Sequence, residues 1–398
     1  MVQICSFKIS NKTVNFAYDS MKNKRLNILL LNALDIYGGG EFFVYQFANL
    51  LKSRGHKVWV SCRNDNLIFN RCIEEGIDVI PVDYPEHSGK SKVWNISREL
   101  SRFIKENKID IVHSNTNYDR TAGAFAAKLA GVPHITTNHS FHSISHNLTH
   151  WYRNKFLINH FIVDGECTRE LLVNEDKIDP KKITLIHLGL EPEQNKKDPE
   201  TRKRIRSEFG VKDNEILIGN VARMVPFKGQ EYLIRAYPEV SRAFPKSRLM
   251  VVGDGELSNM LRALTVELGI YDRVIFPGFR KEIKSMYSAF DIYAHTSVEG
   301  GGETFPYAML HALAQELPLV ITRVGDMPAM VEEGVTGFVL EDKDVKGISE
   351  KIMLLCGDEK LRRDMGKESV ELMLRKFTVD IMTRNIENVY YKVLDSKN

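Results

Sequence analysis

Nowhere does the chain approach the roughly 18 consecutive apolar residues that a bilayer-spanning helix requires. Its first residues also lack the charged-then-apolar pattern of a secretory leader. A cytoplasmic setting is expected, with any membrane contact peripheral and at the inner face. Cysteine is scarce: Cys5, Cys62, Cys72, Cys167 and Cys356 are odd in number and widely spaced, which argues against a disulfide framework or a zinc ribbon and fits a reducing compartment. A large excess of one charge is missing too. Lys plus Arg number 55 against 52 Asp plus Glu, and a formal charge of +3 is too small for a nucleic-acid binder whose affinity rests on neutralising phosphates. With 43% hydrophobic, 27% charged and 9% aromatic residues, collagen-like, mucin-like and largely disordered readings are excluded. A length of 398 residues predicts two or three domains.

The charge is unevenly spread. Residues 1–190 carry 24 basic and 19 acidic side chains, a net of +5, and the remainder a net of −2, so the first half is the one expected to face an anionic partner. Residues 1–25 show only a weak alternation around Val2, Ile4, Phe7 and Ile9, readable as a hairpin, an extension or disorder, with no function assigned. From Leu26 apolar strand-like runs alternate with helical patterns. LNILLLNAL is followed by a helix over Glu41 to Arg54, KVWVSC by a helix ending near Gly76, and IDVIPV by a helix across Val93 to Asn107. DIVH, a helix from Tyr118 to Ala130 closed by Gly131, and HITTN continue the series. After KITLIHL at 182–188, the stretch EPEQNKKDPE has charge and proline without apolar periodicity and reads as a linker. The alternation then restarts with EILIGNVA, a helix from Gly229 to Phe244, RLMVVG, a helix from Glu256 to Leu268, DRVIFPG, FDIYAH, LPLVIT and TGFVL. The predicted fold class is α/β, two facing Rossmann-like domains whose ligands bind in the cleft beyond the carboxyl ends of the strands.

Three stretches carry candidate chemistry. Gly38, Gly39 and Gly40 lead into a helix, where free amides favour an anion, but Phe43 stands where a dinucleotide fingerprint needs its third glycine, which disfavours a dehydrogenase. In VARMVPFKGQ the cations Arg223 and Lys228 lie at a strand end and suit a diphosphate, against the plain alternative of two solvated surface cations. The densest stretch is SVEGGGETFPYAMLHALAQELPLV at 297–320: a strand end, a glycine loop with Glu303, and a helix expected from about Phe305 to Gln315. Amides around Thr304, Phe305 and Pro306 could meet an anion there, with Glu303 placed to accept sugar hydroxyls; a charged helix start is the plain alternative.

With these in place the sequence resembles the retaining glycosyltransferases of family 4, of GT-B architecture, over about residues 26–395. The resemblance rests on GGGE at 38–41, NVARMVPFKGQEYLIRAY at 220–237, VVGDGE at 251–256, VIFPGF, the ETFPYAMLHALAQELPLV block and VGDMPAMVEEGVTGFVL at 324–340. It implies an enzyme that moves a sugar from a nucleotide-diphosphate sugar, as co-substrate and with no other cofactor or metal, to an acceptor with retained anomeric configuration. It divides the chain into an acceptor-side domain over 1–190, a donor domain over 191–376 and a C-terminal helix over 377–398 that packs back on the first domain. Site residues implied by the matching motifs are His139, Glu303, Arg223 and Lys228 as catalytic groups, and Gly39, Gly40, Gly253, Thr304, Phe305, Pro306 and His311 as donor contacts. Partners so implied are a nucleotide-sugar donor and a glycan or lipid-linked acceptor, as in polysaccharide or lipopolysaccharide biosynthesis, with no nucleic acid. The chain departs from the family where Glu, seven residues, Glu is usual: the eighth position after Glu303 holds His311. A neutral imidazole has one acceptor nitrogen where a carboxylate accepts both ribose hydroxyls. A sugar-nucleotide epimerase and a catalytically silent binding protein are the alternative readings.

His139 ends HITTN at the family's histidine position and is expected beside the donor sugar, by hydrogen bonding rather than nucleophilic attack. His113 is a weaker candidate. His139, His142, His146 and His150 have helix-like spacing, but no carboxylate or thiolate lies within that stretch, so a solvated or acceptor-facing surface is expected rather than a metal. Asp342 and Asp344 read as a solvated loop. Trp151, Tyr152, Phe156 and Leu157 interleave with Arg153 and Lys155; helical spacing predicts core packing, and contact with an anionic membrane is the alternative.

Overall fold

The computed structural model describes residues 24–33, 39–64, 66–84, 90–139, 141–145 and 147–396, with only the backbone of 39–42 and 90. The readings placed on residues 1–23, Gly38 and His146 lie outside them. The described residues form two parallel sheets. The first contains β1 (Asn27–Leu31), β2 (Lys57–Cys62), β3 (Asp78–Pro81), β4 (Ile111–Ser114), β5 (His134–Asn138), β6 (His160–Val163) and β7 (Ile183–Leu185), in the order β3-β2-β1-β4-β5-β6-β7. The second contains β8 (Ile216–Val221), β9 (Ser247–Val252), β10 (Val274–Gly278), β11 (Ile292–His295), β12 (Leu319–Thr322) and β13 (Gly337–Leu340), in the order β10-β9-β8-β11-β12-β13. Helices cover both faces, which is why central strands such as NILLL read as continuous apolar runs. The strand order reverses between β1 and β4 and again between β8 and β11, and the crevices outside those strand ends are where such sheets bind ligands.

The chain crosses between the sheets twice, side by side. Leu190 and Thr378 form a parallel bridge, the Leu190 amide donates to the Phe377 carbonyl at 2.9 Å, and a Cβ on Gly189 would lie 2.4 Å from the Thr378 carbonyl oxygen. The final helix, Val379–Asp395, is capped by Thr378 and returns to the first sheet. There Tyr390 Oη meets His113 Nδ1 at 2.6 Å, while Thr137 Oγ1 lies 2.7 Å from His113 Nε2. Glu387 is buried between Arg54 and His56, at 2.8 Å from each. His113 is therefore a fastener for this helix rather than a group facing the cleft.

Three local expectations are corrected. The stretch EPEQNKKDPE is largely helical, Pro192–Asn195 and the start of Pro199–Glu208, because both prolines take a first-turn position and Asp198 accepts from the Thr201 amide at 3.0 Å. The helix expected from Phe305 starts at Tyr307, with Pro306 as its extended N-cap. The histidine segment, doubtful as a helix at its start from the sequence, is indeed helical only from Leu148 to Tyr152 and then π-helical from Arg153 to Leu157, so His139 and His142 lie off that helix. Core packing of its aromatics is overturned as well: Trp151, Tyr152 and Phe156 are exposed while Arg153 and Asn154 are buried, and only Leu157 turns inward.

Burial pushes His113 down to about 3. Because its folded value lies below the unfolded value of about 6.5, the unfolded chain binds more protons below that pH; the stability is complete above about pH 6.5 and is lost as pH falls toward the folded value. The melting temperature is expected to fall between pH 7 and pH 4.5, with His113 contributing up to about 1.4 kcal/mol per pH unit. A shallower fall in His113→Gln, by calorimetry at matched ionic strength, is the expected result, and equal slopes would count against it.

Candidate active site

At the second switch point the loop after β8 is held against the end of β11. A 3₁₀ turn, Pro226–Lys228, ends in Gly229 at φ 60°, where a Cβ would lie 1.9 Å from the Thr296 carbonyl oxygen. Thr296 Oγ1 donates to the Gly229 carbonyl at 3.0 Å, and the Val298 amide to the Phe227 carbonyl at 2.8 Å. From the other side the loop after β9 presses in. Gly253 adopts φ 134° with its Cβ position 2.0 Å from the Ala222 carbonyl oxygen, and the Met224 amide donates to the Asp254 carbonyl at 2.9 Å. The glycines of VVGDGE thus set the position of VARMVPFKG.

This places Lys228 on Glu303. The Lys228 ammonium pairs with Glu303 Oε2, Ser297 Oγ donates to the same oxygen at 3.0 Å, and His295 Nε2 lies 3.2 Å from it. The Glu303 side chain is only 8% exposed. Burial opposes its ionisation, but the Lys228 charge and the His295 hydrogen bond outweigh that and hold the carboxyl below the usual range. Burial likewise lowers His295, which stays neutral and can donate from Nε2 while Tyr293 Oη, 3.0 Å away, meets Nδ1. None of the three groups reaches Glu303 Oε1.

Of the residues singled out in the sequence, the structure brings Lys228 and Glu303 together, and it adds His295 and Ser297, which the sequence reading passes over. The available signal was their place at the end of FDIYAH, the strand on which the order reverses. Arg223 is exposed, its side chain without hydrogen bond or ion pair among the described residues; only its carbonyl is engaged, accepting from Gln230 Nε2 at 2.9 Å. His311 lies in the interior, 9% exposed and stacked on Tyr287 at 5.3 Å, and burial lowers it to about 4, which leaves it neutral. Asp344 caps the helix Val345–Gly357, and Asp342 accepts from the Glu299 amide at 3.3 Å.

The first domain faces this cluster with His139. Its Nδ1 lies 3.2 Å from Asp164 Oδ2, its ring meets Phe43 edge-on at 4.8 Å, and its Nε2 is buried with no hydrogen-bond partner among the described residues. Gly39 and Gly40 form the first residues of the helix Gly39–Ser53. The two sides touch at several points. Thr304 Oγ1 donates to the His139 carbonyl at 3.4 Å, Phe305 stacks on His187 at 4.7 Å, and the Cβ position of Gly302 is 2.9 Å from His142 Cε1.

A further bridge comes from Asp326. The helix Glu166–Asn174 has Gly165 at its N-cap, a residue with no side chain to cap it. Asp326 supplies the cap from the other domain, accepting from the Glu166 amide at 2.9 Å, the Cys167 amide at 3.1 Å and the Cys167 thiol at 2.7 Å. A Cβ on Gly165 would sit 2.0 Å from Asp326 Oδ2, so the glycine makes room for the carboxylate. Burial first, then this carboxylate, push the Cys167 thiol up to about 12. Among the described residues there is no group of three or more His, Cys, Asp or Glu placed to hold a metal ion, and no helix long and apolar enough to cross a membrane.

Comparison with known proteins bears on both domains. Residues 37–194 match the model described as Glycosyltransferase Family 4, and residues 201–371 the model for glycosyl transferases group 1. The chain is similar to the UDP-Gal:alpha-D-GlcNAc-diphosphoundecaprenol alpha-1,3-galactosyltransferase of Escherichia coli, 27% identical over 75% of this chain and 79% of that one. It is 24% identical to the D-inositol 3-phosphate glycosyltransferase of Corynebacterium glutamicum over 91% of this chain and 93% of that one. In fold it resembles a glycosyltransferase from Rickettsia africae, with TM-score 0.85, 20% identity and coverage of 93% of this chain and 99% of that one. Anabaena HepE, crystallised with UDP, follows with TM-score 0.80 and 21% identity over 92% of this chain and all of that one. With tandem matches on either side of the interdomain crossing and a two-sheet fold shared along nearly the whole chain, the protein belongs to the family 4, group 1 glycosyltransferases.

Proposed function

We propose that the chain transfers a glycosyl group from a UDP-sugar to a lipid-linked precursor of a surface glycan, with retention of configuration and without a metal. The observation that carries this reading is the buried Glu303 carboxylate, fastened through one oxygen by Lys228, His295 and Ser297 at the β8/β11 switch point. Fixed through Oε2, the carboxylate offers Oε1 to a sugar hydroxyl. Lys228 has three N–H donors; one serves Glu303 and two remain for the oxygens of a diphosphate. Arg223, uncommitted at the mouth of the same loop, adds a second cation. Departure of a nucleoside diphosphate places negative charge where these cations already stand, which lowers the barrier without a metal. Across the cleft, His139 is oriented by Asp164 through Nδ1 and presents Nε2 to the sugar. The UDP-Gal donor and diphosphoundecaprenol-linked acceptor of the E. coli relative and the UDP held by HepE support the base and the acceptor class.

The contacts across the cleft support a reaction run with the domains closed, which excludes water from a donor prone to hydrolysis. His311 supports no ribose clamp of the two-acceptor kind, so in this reading the ribose is held elsewhere.

Incubation with UDP-, GDP-, ADP- and CMP-sugars, followed by mass spectrometry of released nucleotide with and without a chelator, is expected to show release from a UDP-sugar that survives chelation. Glu303→Gln is expected to lower turnover roughly 10²-fold, and Lys228→Ala to weaken donor binding and turnover together. Wild-type turnover in Glu303→Gln would sink the assignment. An isomerised donor with no acceptor present would favour an epimerase, and donor binding without release or transfer a silent binding protein. For the closed arrangement, Asp326→Ala is expected to speed alkylation of Cys167 by about tenfold, with buried Cys72 as the internal reference in peptide mass spectrometry. An unchanged rate would show that Asp326 does not guard the thiol.

A further inference from the structure

The segment that leaves the site at His139 ends in an inside-out turn. Helix Leu148–Tyr152 runs into the π-helical Arg153–Leu157, and the side chains sort against their polarity. Arg153 and Asn154 are 2% exposed. Arg153 donates to Thr121 Oγ1, the Ile144 carbonyl and Asn154 Oδ1, each at 2.8 Å, and Asn154 Nδ2 donates to Ser145 Oγ at 2.9 Å. The wider π turn lets these two adjacent polar residues face inward together. What faces solvent instead is Leu148 at 84% exposure, Trp151 at 47%, Tyr152 at 46% and Phe156 at 55%.

Burying a guanidinium while exposing four large apolar side chains is unfavourable for an isolated globular surface, and a contiguous patch of this kind marks a contact surface. Its chemistry specifies the partner. Trp151 meets Phe156 edge-on at 5.7 Å, Tyr152 lies 5.2 Å from Phe156, and Lys155 Nζ sits 5.0 Å over the Trp151 ring. Lys182 donates to the Lys155 carbonyl at 3.1 Å, and exposed Lys181 adjoins it. Tryptophan and tyrosine with lysines among them combine apolar bodies that enter the headgroup boundary with cations that stay at its anionic surface. The patch lies on the domain with the net positive charge. It is also tied to the cleft, for His142, beside Gly302, is only six residues from Leu148, a span of at most about 20 Å.

We propose that the Leu148–Leu157 segment is a docking surface for an anionic lipid bilayer, seated with Trp151, Tyr152 and Phe156 in the headgroup region and Lys155, Lys181 and Lys182 against the lipid phosphates. Vesicle binding needs neither donor nor acceptor, so this inference stands apart from the transfer reading; only its consequence, that the cleft opens toward the membrane from which a lipid-linked acceptor would come, rests on that reading.

The test is co-sedimentation of the full chain with vesicles of phosphatidylcholine alone and of phosphatidylcholine with phosphatidylglycerol, at low and high salt, alongside light scattering. Wild type is expected to partition at least about tenfold better onto the phosphatidylglycerol vesicles, with salt weakening the binding. Trp151→Ala/Phe156→Ala is expected to lose roughly tenfold in partition, and Lys155→Glu to lose mainly the preference for anionic lipid, both with unchanged melting temperature because the replaced side chains are exposed. Equal partition of the wild type and the double variant, or no partition by the wild type, would overturn the proposal. So would a wild-type dimer that the double variant turns into a monomer, since the patch would then be covered by a second copy of the chain.

Discussion

An ionised carboxylate in the wall of a cleft, all but removed from water, is tenable only when charge and hydrogen bonds replace its hydration. Glu303 meets that condition through Lys228, which arrives from the loop after β8, and through His295 and Ser297, which arrive from the end of β11 and the residues just beyond it. Much of the second domain follows from bringing those groups together. Gly229 and Gly253 exist as glycines because the loops after β8, β9 and β11 approach closer than a Cβ permits. The strand order reverses where the cluster stands, opening the crevice that the carboxylate lines. Removing one partner would leave a charge without compensation, whereas the complete set is fixed in place before any ligand arrives.

The cleft is bounded by contacts of two weights. The heavier ones lie at the paired crossing of Leu190 and Thr378 and along the final helix, where His113 and Glu387 are buried against their partners. They keep the domains adjacent. The lighter ones are one hydroxyl to a carbonyl at Thr304, one stacked ring pair at Phe305, and the Asp326 cap on a helix whose own N-cap, Gly165, has no side chain. A single helix cap is worth about 1 kcal/mol.

The inverted segment from Leu148 to Leu157 gives the first domain a second face of a different character. Its buried Arg153 and outward Trp151 are two consequences of one backbone event, the π-helical turn that changes the angular spacing of successive side chains. Periodicity at 3.6 residues per turn is blind to such a change. That is why helical spacing of aromatics pointed inward while the structure turned them out.

Local chemistry made much of this protein legible from its residues. Apolar runs with glycine-bearing turns dictated parallel strands covered by helices, since only burial on both faces accounts for sequences such as LNILLLNAL. The left-handed Gly131 closes one helix where the sequence placed its end, while the Thr116–Asp119 capping box starts it at Asn117 rather than at the expected Tyr118. Lys228 was visible as a cation following a strand end, and Glu303 as an acid in a glycine loop ahead of a helix. The tertiary structure alone decided that these two pair with each other, that His295 and Ser297 share their carboxylate, that His311 packs on Tyr287, and that Asp326 caps a helix 160 residues away in the chain. The reason is range: sequence spacing fixes which side chains are neighbours along one strand or helix, whereas the meeting of loops from different elements depends on how two sheets are packed, which no local pattern encodes.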